Sequence, residues 1–193
     1  MSQTTTAQAR TVNTIDRGKL DVKALVLLAV LLAAGFILNF TVGKAISGVT
    51  GGAISPEFII SAFCLTILVV RPGLGQSLVI GLISAAVIQV TTTSPLIDFA
   101  AEGIAAVVMA GLVKALMRGG TKKVAPFVST LVTTVLSGTV FMVIKLAVMG
   151  FAPEVVAVLP AAMMPVVVLT GVFNAVLVQA LYLPIRAALK ITD

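Results

Sequence analysis

Two carboxylates four residues apart, Asp98 and Glu102, stand where an apolar run resumes after the polar turn Thr91-Thr92-Thr93-Ser94-Pro95. At that spacing on a helix they share a face, and like charges so placed repel, so a cation is expected beside them. Glu57 follows Ser55-Pro56 at a second helix start, and Lys145 lies near the end of a later apolar run. An ionisable side chain inside an apolar helix costs about 2.5 to 3.5 kcal/mol on insertion scales, so each of these groups needs a partner, water or a function. Two acids and one base leave a surplus negative charge. That balance suits a ligand with an amino group, with Lys145 able to meet a carboxylate on the same molecule. Phe99 and Phe141 are candidates to stack on an aromatic ligand, and Asn174 to contribute an amide contact.

Plainer readings exist for the same residues. The helix dipole alone favours Glu57 and Asp98 in a first turn. Glu102 and Lys145 can pair internally, Lys145 can snorkel to an interface, and Asn39 and Asn174 can act as glue between helices. With no His, no Trp, one Cys (Cys64) and one Tyr (Tyr182), the chain lacks the groups for imidazole acid/base catalysis or a His/Cys metal site. No catalytic residue, metal or cofactor is expected, and an enzyme is the least favoured class.

The elements that must position these groups follow from composition. A chain of 193 residues with 59% hydrophobic and 10% charged residues, and a mean hydropathy of +1.18, is expected to be an all-α integral membrane protein. Gly119-Gly120-Thr121-Lys122 lacks the spacing and strand context of a phosphate-cradling loop, so ATP binding is not expected. The pattern predicts a cytoplasmic tail over 1–20 and one transmembrane domain over 21–193, with helices at 21–46, 57–71, 74–92, 95–117, 125–149 and 158–189. The second helix is short for a span. Ser55 is read as its cap, with Pro56 in its first turn, and the glycine-rich stretch 47–55 as a lid or plug.

Orientation follows from the basic residues. With the N-terminus inside, eleven of the 13 Lys and Arg residues fall on the cytoplasmic side, leaving Lys44 and Lys145 outside. That asymmetry predicts six spans of a cell membrane with both ends in the cytoplasm. The formal charge of +6 therefore points to topology and not to nucleic acid.

Several short stretches, in order, carry a resemblance. They are Gly52 to Glu57, Leu78-Val79-Ile80-Gly81, Thr91-Thr92 through Pro95 to Asp98, Leu136-Ser137-Gly138-Thr139-Val140-Phe141, and Leu159-Pro160 with Leu169 to Asn174. Together they resemble the S components of energy-coupling factor (ECF) transporters, most of all the tryptophan-transport branch. The resemblance implies a pocket built by helices four to six and the loops between helices one and two and three and four. It implies a docking surface at Ala29 and Ala33 for a transmembrane coupling subunit, two cytoplasmic ATPase subunits as energy source, and capture of tryptophan or a related amine-bearing micronutrient. Where tryptophan-type proteins follow the helix-four acid with Lys, this chain has Phe99, so a vitamin such as a pyridoxine-like vitamer stays open. A stand-alone permease or channel is the reading from another class.

Overall fold

A helix that is apolar on every side has no face to give to water and must be surrounded. Ile59–Val70 is such a stretch, and in the computed structural model all 12 of its residues are buried. The structure describes residues 19–49, 56–92, 94–118 and 122–191. Of the lid expected over 47–55, positions 47–49 are helical, the end of a helix that runs on from Lys44; the rest of it, with Ser55 as a cap, the expected tail up to residue 18 and positions 119–121 of the basic loop lie outside the described residues.

Around that central helix, α3 (Ile59–Val70), the described chain is all helical. α1 (Val22–Leu38) runs through a π-turn (Asn39–Gly43) into α2 (Lys44–Val49), followed after α3 by α4 (Leu74–Ile88), α5 (Ile97–Leu116), α6 (Ala125–Val148) and α7 (Pro153–Ala188). Four rods are long and apolar enough to cross a bilayer: Val22–Val49, α5, α6 and α7. At 1.5 Å per residue α3 and α4 reach only about 18 and 22 Å, short of the roughly 30 Å of a hydrocarbon core. Three helix starts differ from the sequence expectation by two residues or more. α5 begins at Ile97 and not at 95, with Leu96 before it in a left-handed conformation. α7 begins at Pro153, ahead of the expected 158, because proline suits a first turn and the Ala152 carbonyl accepts from the N–H groups of Val155 and Val156, both at 2.9 Å. α3 begins at Ile59, which leaves Pro56 and Glu57 in the approach to the helix and not in its first turn.

Close backbone approach fixes the layers around α3. A Cβ on Gly35 would lie 3.2 Å from the Ile59 Cα and from the Phe58 carbonyl oxygen, so α1 reaches the start of α3 only because this position is bare. Between α4 and α5, a Cβ on Gly81 would fall 2.5 Å from the Glu102 carbonyl oxygen and 2.7 Å from the Ala106 Cβ. Between α6 and α7, a Cβ on Gly138 would meet Val167 at 2.6 Å.

Two asparagines secure the entry to α3. Asn39, in the π-turn, donates to the Glu57 carboxylate and accepts from the Phe58 N–H. Asn174, fully buried on α7, donates to the Glu57 carbonyl at 2.9 Å and accepts from the Ser61 hydroxyl at 2.7 Å. At the other end, Arg71 adopts a left-handed conformation (φ 54°) and Pro72 prevents continuation. These contacts make α1 antiparallel to α3, and α3 and α5 run in the same direction, with the Arg71 guanidinium 3.7 Å from the Met117 sulfur at their C-terminal ends.

Gly81→Ala is expected to destabilise the bundle by about 1–3 kcal/mol through overpacking. Gly111→Ala, on an open face of α5 where a Cβ meets nothing within 4 Å, is expected to be neutral or stabilising by up to about 1 kcal/mol. Asn174→Ala, which orphans the Glu57 carbonyl and the Ser61 hydroxyl, is expected to cost about 1–3 kcal/mol for each group left unpaired. Thermal unfolding of the three variants in one detergent measures all of these.

Candidate ligand cavity

The N-terminal ends of α3 and α5, the C-terminal end of α4, the middle of α6 and part of α7 line a partly open cavity of about 580 Å³. Three carboxylates line it, Glu57 before α3 and Asp98 and Glu102 on α5, with hydroxyls from Thr92, Thr134, Ser137 and Thr170. Ile60, Ile88, Met163, Val166 and Val167 supply apolar wall, and Phe141 the aromatic surface. Pro160 and Pro165 fall inside α7 beside its lining stretch, and each removes one internal hydrogen bond there.

Each acid is held differently. Glu102 is 3% exposed; one carboxylate oxygen accepts from the Ser137 hydroxyl at 2.8 Å, and Oε2 has no hydrogen-bond partner among the described residues. The Thr134 hydroxyl, one helical turn from Ser137, is likewise buried without a partner among the described residues. Asp98 stands in the first turn of α5 and accepts from the Gln89 side-chain amide at 3.3 Å. The Gln89 side-chain oxygen accepts from the Leu96 N–H at 3.0 Å, which braces Leu96 at φ 73° two residues before the acid. Glu57 is oriented by Asn39.

Among the described residues no Lys or Arg lines the cavity. Lys145, in the last turn of α6, sits with its ammonium 5.7 Å from the centre of the Phe141 ring, within range of a cation–π contact. Among the described residues no ion pair joins it to Asp98 or Glu102. The cavity is therefore rich in acceptors and poor in cations. A buried carboxylate oxygen without a partner among the described residues is a strong acceptor for an N–H of a cationic ligand. Among the described residues no His, Cys, Asp or Glu group has the arrangement of a metal site.

Of the sequence-derived candidates, Glu57, Asp98, Glu102 and Phe141 come together on the cavity wall. Lys145 stands behind Phe141. Phe99 is half-buried and outside the lining, and Asn174 acts on the Glu57 and Ser61 backbone and hydroxyl from outside the lining. Ala29 and Ala33 are exposed and line a separate apolar groove of about 520 Å³ between α1 and α4, with Leu25, Phe36, Ile83 and Val87. Sequence reasoning did not single out Thr134 or Thr92. The signal for the first was present: Thr130, Thr133, Thr134 and Ser137 recur at helical spacing in an apolar run, a hydroxyl stripe that must face the protein interior.

No family model matches this chain, and no curated protein or solved structure matches it.

Proposed function

We propose that this chain is the substrate-capture subunit of an ECF-type importer in a bacterial cell membrane, binding an amine-bearing micronutrient such as tryptophan. The observation that carries the reading is the cavity with three carboxylates, one of them holding an unpartnered oxygen, and no lining Lys or Arg. The ligand ammonium meets Glu102 and Asp98, its ring lies against Phe141 and the apolar wall of α7, and a ligand carboxylate is met by Lys145 turning from the Phe141 ring. Six membrane-embedded helices, with the acidic cavity facing outward and the basic ends inward, follow from the distribution of Lys and Arg. In this reading α3 and α4 lie within the membrane without each spanning its full thickness.

A capture subunit needs a closed floor, whereas a channel needs a path. The fully buried side chains of α3, packed against α5 and α7 beneath the cavity, support the binder over the stand-alone permease or channel. The exposed groove at Ala29 and Ala33 is the docking surface in this proposal for a transmembrane coupling subunit, with two separate ATPase subunits supplying energy.

Calorimetry with tryptophan, tryptamine and indole-3-propionate separates the roles, because the last two each lack one of the two charges. Tryptophan and tryptamine are expected to bind and indole-3-propionate to fail. Glu102→Gln and Asp98→Asn are each expected to weaken both amines by roughly 10- to 100-fold, as losing a hydrogen bond to a charged group does. Lys145→Ala is expected to weaken tryptophan alone. Binding of indole-3-propionate equal to that of tryptamine would exclude an amine-directed site. The coupling role is tested by co-purification: the wild-type chain is expected to bring down a membrane subunit and ATPases, and the Ala29→Arg/Ala33→Arg variant to lose them.

A further inference from the structure

At the far end of α3 and α5 from the acidic cavity lies a second cavity, of about 440 Å³ and opposite electrostatic character. Arg71 from the end of α3, Lys114 from the end of α5 and Arg118 just after it line it, and among the described residues no acid does. Lys114 stands in the last turn of α5 and Arg118 in the turn just after it. Both are exposed, and they sit where an apolar helix ends, the position at which long basic side chains reach headgroup level.

Backbone geometry at this end adds to the positive field. The N-terminus of α4 opens into the same cavity through Gly73 and Leu74, and a helix N-terminus carries partial positive charge. Neither Gly73 nor Gly75 has a neighbour within 4 Å of where a Cβ would be, so an anion can approach the first turn of α4 without displacing a side chain. The rest of the lining is apolar, including Ile67, Leu74, Val113 and Met117. A free phosphate has no use for that surface, whereas the glycerol and upper acyl chain of a phospholipid do.

We propose that this cavity binds the phosphate of an anionic phospholipid, with Lys114 and Arg118 gripping the headgroup, Arg71 at its base and the acyl chain passing over Leu74 and Val113. The two ends of the bundle thus have separate ligands, a cation in one cavity and a lipid phosphate in the other. The lipid site stands independently of the importer reading, because it uses none of the acidic cavity's residues.

Native mass spectrometry of the full chain, released from micelles doped with phosphatidylglycerol or phosphatidylcholine, tests the assignment. The wild type is expected to retain phosphatidylglycerol about tenfold over phosphatidylcholine, in line with the attraction of basic residues to anionic lipid. Lys114→Gln/Arg118→Gln is expected to lose the preference while still retaining phosphatidylcholine, which reports an intact protein. Lys122→Gln/Lys123→Gln, the same change of charge at exposed positions outside the lining, is expected to keep it. Undiminished preference in the first variant, or equal loss in both, overturns the site. Full displacement of phosphatidylglycerol by excess inorganic phosphate overturns the lipid as its occupant and leaves a free-anion site.

Discussion

The short central helix is the constraint on which the rest depends. α3 is wholly buried and only 12 residues long, and the residues leading into it, Pro56 to Phe58, are largely buried without being helical. Backbone groups in that situation must be satisfied inside the protein. Asn39 takes the Phe58 N–H and Asn174 takes the Glu57 carbonyl, and with those two bonds made, the approach to α3 can sit beside an open space. The acidic cavity occupies the length that the helix leaves unfilled.

The same two amides also explain why Glu57 stands where it does. One asparagine holds its carboxylate and the other its carbonyl, so the side chain is fixed beside the start of α3 and faces the α5 acids across the cavity. Ser137 and Gln89 perform the equivalent service for Glu102 and Asp98. Neutral donors orient all three groups and none neutralises them. Gathering like charges around one partly buried cavity is unfavourable, and a cationic ligand relieves it in a way that a neutral or anionic one cannot.

Much of this was legible in the residues. Composition announced an all-helical chain with rods long and apolar enough to cross a membrane, and the approximate positions of α4 to α6 followed from the apolar runs. Glu57, Asp98, Glu102 and Phe141 were recognisable because ionisable or large groups in apolar stretches stand out. Lys145 was expected as the direct counter-charge, but its distance from the acids depends on the rotation of α6 relative to α5, which no local pattern encodes. Asn39 and Asn174 could be read as glue, yet what they hold, a strand of non-helical backbone 18 and 117 residues from them in sequence, depends on tertiary packing. The π-turn carrying Asn39 has no signature in the string Asn39-Phe40-Thr41-Val42-Gly43. Pro153 signalled the α7 start, but the preceding Gly150-Phe151-Ala152 drew the turn too long.

The most direct test of the account is the chemical identity of what the cavity takes up unprompted. Small molecules released by denaturing the purified wild-type chain, compared by mass spectrometry with those from a Glu102→Gln preparation, give it. The account predicts a basic-nitrogen compound that is abundant with the wild type and depleted with the variant. A released ligand with no basic nitrogen, carried equally by both proteins, would contradict it.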